Sequence, residues 1–161
     1  VNIVKAPGTS VYSIIIYMTN KKVIGCGALF YNLDTQRFLF LHRTQSKQSN
    51  VWGLVGGTNT EAETPWESLK REISEEIGAV SILKTIPLET FVSNDENFLY
   101  HTYLCVVKNE FLPKLNQEHD GYAWVQFGKW PKPLHQGLRN TLQNRTNQLK
   151  LETVFKMLKF L

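Results

Sequence analysis

Apolar and β-branched residues arrive in short runs between polar turns along most of this chain, and one central segment changes period. Val11 to Met18 is dense in β-branched and aromatic side chains, which is strand composition. Val23 to Tyr31 reads as a second strand, with Gly25 and Gly27 leaving room for a bulge. The turn Asn32-Leu33-Asp34-Thr35 leads into a third strand, Arg37 to His42, so 23 to 42 forms a hairpin. After the polar stretch Thr44 to Asn50, a short strand, Val51 to Val55, ends on Gly56-Gly57. The period then becomes helical. Pro65 opens a helix, because proline is tolerated in a first turn where its missing N–H has no partner to lose. Thr64 is its N-cap, Glu67 completes a capping box, and Gly78 stops it after Ile77. Strands follow at about Val80 to Phe91 and Phe98 to Val107, joined through Ser93 to Asn97, and a shorter one at Tyr122 to Phe127. From Leu134 onward the pattern gives one or two helices, with Leu151, Val154, Phe155, Leu158 and Leu161 at helical spacing. Strands on both sides of a central helix, plus a terminal helix, define an α+β or α/β sandwich.

Composition narrows this only a little. A chain of 161 residues with 42% hydrophobic content is expected to form one compact domain spanning 1–161. Eighteen basic and 14 acidic residues leave a net charge of +4, which mildly favours anionic ligands. No block of five like charges exists, so there is no basic arm and no clear nucleic-acid partner. The run from Val11 to Met18 is far short of the roughly 20 residues that cross a membrane, and no membrane association is expected. Cys26 and Cys105 lie inside apolar runs without CxxC spacing. They read as two buried, reduced thiols, which fits a cytoplasmic protein.

The central helix carries the chemistry. Glu72, Glu75 and Glu76 are spaced i, i+3, i+4 and fall within an arc of roughly 100°. Trp66, Leu69, Ile73 and Ile77 occupy a neighbouring arc that faces the core. Like charges at i, i+4 destabilise a helix by about a few tenths of a kcal/mol, and two of these carboxylates sit in the last turn, where the helix dipole disfavours anions. Such an arrangement is either a solvated acidic face or a site for a hard divalent cation, Mg²⁺ or Mn²⁺, bridging to phosphates. Gly56-Gly57, where backbone can approach a ligand closely, favours the cation. Arg71, four residues before Glu75, could hold that carboxylate in place.

Gly57, Glu63, Arg71, Glu72, Ile73, Glu75, Glu76 and Gly78 match the Nudix box, G-x5-E-x7-R-E-U-x-E-E-x-G-U, where U is a bulky aliphatic residue. Only Ala79 departs from it, and Val80 follows. The chain therefore resembles the Nudix hydrolases. The flanking Trp52-Gly53-Leu54-Val55 resembles the strand entering the family's metal loop, with Val55 where proline often stands. The resemblance implies an α/β/α sandwich with a mixed sheet, this helix on one side and a C-terminal helix. It implies metal ligation by Glu72, Glu75 and Glu76 with the carbonyl of Gly56, and a glutamate oriented by Arg71. Glu63 would be structural or lie at the edge of the site. It implies Mg²⁺-assisted attack of water on phosphorus, a small-molecule nucleotide substrate, and often a homodimer.

The remaining candidates come from position. Candidate general bases are Glu72 and the cluster Glu118-His119-Asp120, which resembles the region where Nudix enzymes often place a late catalytic or metal-binding acid. The segment His119, Asp120, Tyr122, Trp124 looks like the loop of GDP-mannose hydrolases, which attack at sugar carbon with a histidine base. The intact box favours attack at phosphorus. Arg43 stands where similar enzymes contact substrate phosphate, and Phe91, Phe98 and Tyr100 could stack a nucleobase. The expected substrate is a nucleoside diphosphate linked to another moiety, such as a nucleotide sugar or ADP-ribose. A nucleoside triphosphate or an RNA 5′ end is the alternative. A catalytically inert binding module would have lost carboxylates that are all present here.

Overall fold

A computed structural model describes residues 22–45 and 48–160. The expected strand at Val11 to Met18, and Leu161, lie outside the described residues. In chain order the described elements are β1 (Val23–Asn32), β2 (Arg37–Arg43), β3 (Val51–Gly53), β4 (Val55–Thr58), α1 (Pro65–Ile77), β5 (Lys84–Val92), β6 (Phe98–Val107), β7 (His119–Gln126), α2 (Gln136–Gln143) and α3 (Arg145–Leu158).

The strands form one mixed sheet ordered β3-β2-β1-β6-β5, with β4 added to β1 and β7 to β2. β1 and β6 run parallel from Val23 opposite Phe98 to Asn32 opposite Val107. β1 and β2 meet at their shared turn, Tyr31 opposite Phe38, and then part company. Towards its start β1 takes β4, with Gly27 opposite Gly56, while β2 takes β3 and β7. Glycine makes the β1–β4 junction possible: at Gly56, with φ +155°, a Cβ would come within 2.1 Å of the Cys26 carbonyl oxygen.

Side chains alternate across the sheet. Cys26, Ala28 and Phe30 of β1 pack with Leu69, Ile73 and Ile77 of α1. Leu29 and Tyr31 pack on the other face with Leu138 and Leu142 of α2 and Leu151 and Leu158 of α3. The result is the α/β/α sandwich, with α1 on one face and the α2–α3 pair on the other. α1 has the expected bounds, and its capping box is complete: the Thr64 side chain accepts from Glu67 N–H while the Glu67 carboxylate accepts from Thr64 N–H.

Three boundaries differ from the sequence reading, and the C-terminal region takes the two-helix alternative. β5 begins at Lys84, because Val80 and Ile82 fill the α1-side core from an irregular lead-in. The run Val51 to Val55 splits at Leu54, since its two halves pair with different strands. β7 starts at His119, earlier than Tyr122, because His119 pairs with Arg43 across a register shift that leaves Asp120 of β7 as the extra residue. The C-terminal region makes two helices because Asn144 ends one and caps the next, its side chain accepting from the N–H groups of Thr146 and Asn147.

Candidate active site

Arg71 organises the acidic helix. Its guanidinium donates to both oxygens of Glu63, Nε to Oε1 at 2.8 Å and Nη2 to Oε2 at 3.2 Å. Nη1 donates to Glu72 Oε1 at 2.8 Å and, more weakly, to Glu75 Oε2 at 3.3 Å. Sequence spacing pointed to Glu75 as its partner; Glu63, from the preceding loop, is held more tightly. Arg71 lowers the Glu63 carboxyl to about 2, with Thr60 N–H as the second cause. Glu72 lies over Gly57, where a Cβ would come 2.4 Å from Glu72 Oε1. That contact is a local reason for glycine in the loop.

Glu76 has a different environment. It is only 3% exposed, and Gly56 N–H donates to its Oε2 at 2.9 Å. Burial pushes its carboxyl up to about 8; the Gly56 N–H opposes this, and the Glu72 and Glu118 carboxylates add to it. Arg43 is the weakest opposing influence. The charge of Arg43, at the end of β2, also acts on Tyr100, His119 and His135. Arg43 therefore faces the carboxylate cluster, and its Cδ crosses Gly53.

Glu118 is brought to this place by a loop stitched to the end of α1. Lys114 N–H donates to the Ile77 carbonyl at 3.0 Å and Asn116 N–H to the Glu76 carbonyl at 3.3 Å. These bonds satisfy carbonyls that a helix C-terminus leaves without partners. His119 is 6% exposed, and its Nδ1 lies 3.3 Å from Asn116 Oδ1. Burial, followed by the Arg43 charge, lowers it to about 4. Its ring is thus neutral near pH 7 and turned into the protein. Asp120 pairs with His42, Oδ1 to Nδ1 at 2.5 Å, and Trp124 Nε1 donates to the Phe111 carbonyl in the core.

The Tyr100 ring lies across β1, over Gly25 and Gly27. A Cβ on either glycine would come within 2.7 Å or 2.4 Å of it. Burial raises the Tyr100 hydroxyl, and the Glu76 and Glu72 charges also act on it. Phe98 stands 6.2 Å from Tyr100, and Phe91 is 6.3 Å from Phe98, making a partly exposed aromatic row beside the carboxylates.

A family model described as the NUDIX domain matches residues 21–144, and the chain belongs to the Nudix family. It is 31% identical over 129 residues to the dihydroneopterin triphosphate diphosphatase of Haemophilus influenzae, covering 70% of this chain and 78% of that protein. It is 32% identical over 111 residues to the nucleoside triphosphatase NudI of Escherichia coli, covering 62% of this chain and 75% of that one. The MutT NUDIX hydrolase of Burkholderia pseudomallei superposes with a TM-score of 0.64 at 25% identity, covering 76% of this chain and 96% of that one. The protein is a Nudix hydrolase.

Enzymes of this family generally use a divalent metal such as Mg²⁺. Among the described residues no three carboxylate, imidazole or thiol groups already form a metal cage. Arg71 and the Gly56 N–H hold the carboxylates in separate positions. The donor set nevertheless fits Mg²⁺, which takes one or two carboxylates and fills its other positions with water and substrate phosphate. Glu76 and Glu72 could hold it, with Glu75 at the exposed margin and the Gly56 carbonyl in the adjoining loop. Among the described residues no helix is long and apolar enough to cross a membrane.

Proposed function

We propose that this enzyme hydrolyses a phosphoanhydride bond in a nucleoside triphosphate or a similar triphosphate, with Mg²⁺ bound at Glu76 and Glu72. The observation that carries this reading is the buried Glu76 carboxylate, which faces Glu72 and Glu118 and receives a backbone N–H. That arrangement costs free energy without a cation and becomes favourable with one. Both relatives described above are named for triphosphates, and this favours that class over nucleotide sugars. The inward-turned ring of His119, bonded to Asn116, also speaks against a histidine base at sugar carbon.

A divalent metal held by Glu76 and Glu72 would neutralise phosphate charge and make the attacking water more acidic. Arg71 holds Glu72 in orientation. Arg43 supplies a cation for the substrate phosphates. Tyr100 and Phe98 offer a face to a planar base. Glu118, exposed and opposite Glu76, accepts the proton as water oxygen bonds to phosphorus. The P–O bond to the leaving phosphate then breaks, and the leaving oxygen keeps the bonding electrons. No covalent enzyme intermediate is needed.

A panel of nucleoside triphosphates, dihydroneopterin triphosphate, ADP-ribose and nucleotide sugars, assayed with Mg²⁺ in ¹⁸O-water, tests the reading. The expected result is fastest turnover on a triphosphate, with the label in a phosphate product. Preference for ADP-ribose or a nucleotide sugar overturns the substrate class, and label on sugar carbon overturns attack at phosphorus.

A further inference from the structure

Asn116 joins the helix that carries Glu76 to the loop that carries Glu118. Its backbone N–H donates to the carbonyl of Glu76 itself, at 3.3 Å. Its side-chain Oδ1 accepts from Glu118 N–H at 3.0 Å and lies 3.3 Å from His119 Nδ1. Its carbonyl accepts from His119 N–H at 3.3 Å. On the far side, the Glu118 carbonyl accepts from Thr44 N–H at 2.9 Å and from Thr44 Oγ1 at 3.2 Å. Thr44 directly follows Arg43. Glu118 thus has an exposed side chain on a backbone fixed at both ends, towards Glu76 through Asn116 and towards Arg43 through Thr44.

We infer that Asn116 is a positioning residue that holds Glu118 against the Glu76 carboxylate, with His119 locking the Asn116 amide rather than serving as a base. This rests on the reading that Glu118 takes the proton from water. An amide is well suited to the position. Its oxygen has two lone pairs, one taken by Glu118 N–H and one facing His119 Nδ1. A loop glutamate without this tether would sample many rotamers, and small displacements of a proton acceptor are costly to rate. The sequence offers a weak signal, since asparagine two residues before an N–H that must be fixed is a common side-chain-to-backbone turn.

The test is a double-mutant cycle on the full chain, using the triphosphate turned over fastest in the panel. Glu118→Gln is expected to lower kcat about a hundredfold, as loss of a general base does. Asn116→Ala is expected to lower kcat about tenfold with KM within about twofold, as loss of a supporting partner does. The double variant should be no slower than Glu118→Gln alone, because Asn116 acts only through Glu118. Asn116→Asp, which keeps the accepting oxygen, should recover most of the activity lost in Asn116→Ala. Binding of Mn²⁺ alone should be unchanged in Asn116→Ala, which separates positioning of Glu118 from damage to the Glu76 end.

Multiplicative losses in the double variant, no recovery in Asn116→Asp, or equal loss of Mn²⁺ binding overturns the inference and leaves Glu118 as the base. Wild-type kcat in Glu118→Gln instead removes the base assignment, and the inference with it.

Discussion

Two glutamates, on opposite sides of the sheet, show how differently one chain can treat a carboxylate taken out of water. Glu89 is aimed into the α2–α3 pair by a bulge in β5. Thr141 Oγ1 donates to its Oε2 at 2.6 Å and Asn147 Nδ2 to its Oε1 at 2.8 Å. Each oxygen has its own donor, and the two donors come from different helices. Glu76, on the α1 side, receives the Gly56 N–H at one oxygen and feels two neighbouring carboxylates. A satisfied carboxylate ties elements together, whereas an under-satisfied one in a cluster is held ready for a ligand.

The sharpest break in that comparison is in activity. Glu76→Gln should lower Mg²⁺-dependent kcat by about a thousandfold or more, corresponding to several kcal/mol of transition-state stabilisation. Glu89→Gln should leave kcat within about threefold, since its effect is on folding. Comparable kcat values for the two variants would erase the distinction.

Stability should move the other way. The Glu76 carboxyl is pushed up to about 8 in the folded protein, from an ordinary value of 4.5. Between those values the metal-free folded protein keeps a proton that the unfolded chain has released. Stability of the metal-free protein therefore falls as pH rises from about 4.5 to 8, by an amount on the order of a few kcal/mol, and levels off above that. Glu76→Gln should remove this slope and raise the metal-free melting temperature at pH 8, because a neutral amide can still accept from Gly56 N–H. Calorimetry of Mg²⁺ binding at pH 7 should show proton release in the wild type, its heat changing with the buffer's ionisation enthalpy, and none in the variant. A flat pH dependence of the metal-free wild type would contradict the assigned burial. Glu89→Gln should instead destabilise the fold by about 1–3 kcal/mol, since a carbonyl oxygen and an amide nitrogen replace two acceptors and one donor loses its partner.

What could be read from sequence divides along the same line. The bounds of α1, its capping box, the carboxylate spacing and the aliphatic anchor Leu69 are all set within a few residues of chain, and the hydrophobic period displays them directly. The parting of β1 and β2, the split at Leu54 and the early start of β7 depend on which distant strand wins each backbone partner. No local period records that choice. The site follows suit. Glu72, Glu75 and Glu76 were legible because they share a helix. Asn116 gave only a faint turn signal, and Glu89 showed nothing locally, since its donors are 52 and 58 residues away. Glu63 as the main partner of Arg71 was missed because eight residues of loop and helix separate them, beyond any helical spacing rule.

The Glu63–Arg71 pair lies between the two extremes and carries the smallest expected effect. Glu63 sits in the loop, yet both its oxygens accept from Arg71, and this lowers its carboxyl to about 2 from an ordinary 4.5. The sign is opposite to that of Glu76. Here the unfolded chain takes up a proton before the folded one does, so the contribution is complete above pH 4.5 and is lost as pH falls towards 2. Glu63→Gln should flatten that part of the acid unfolding curve and leave the fold intact at pH 7. It should also lower kcat about tenfold, because Arg71 loses its tightest partner and holds Glu72 less firmly. The loss stays well short of that in Glu76→Gln because Arg71 still donates to Glu72 directly at 2.8 Å. If Glu63→Gln were as damaging to kcat as Glu76→Gln, the loop glutamate would have to contact the reacting groups, and the division between a clamped carboxylate and one held for a ligand would fail.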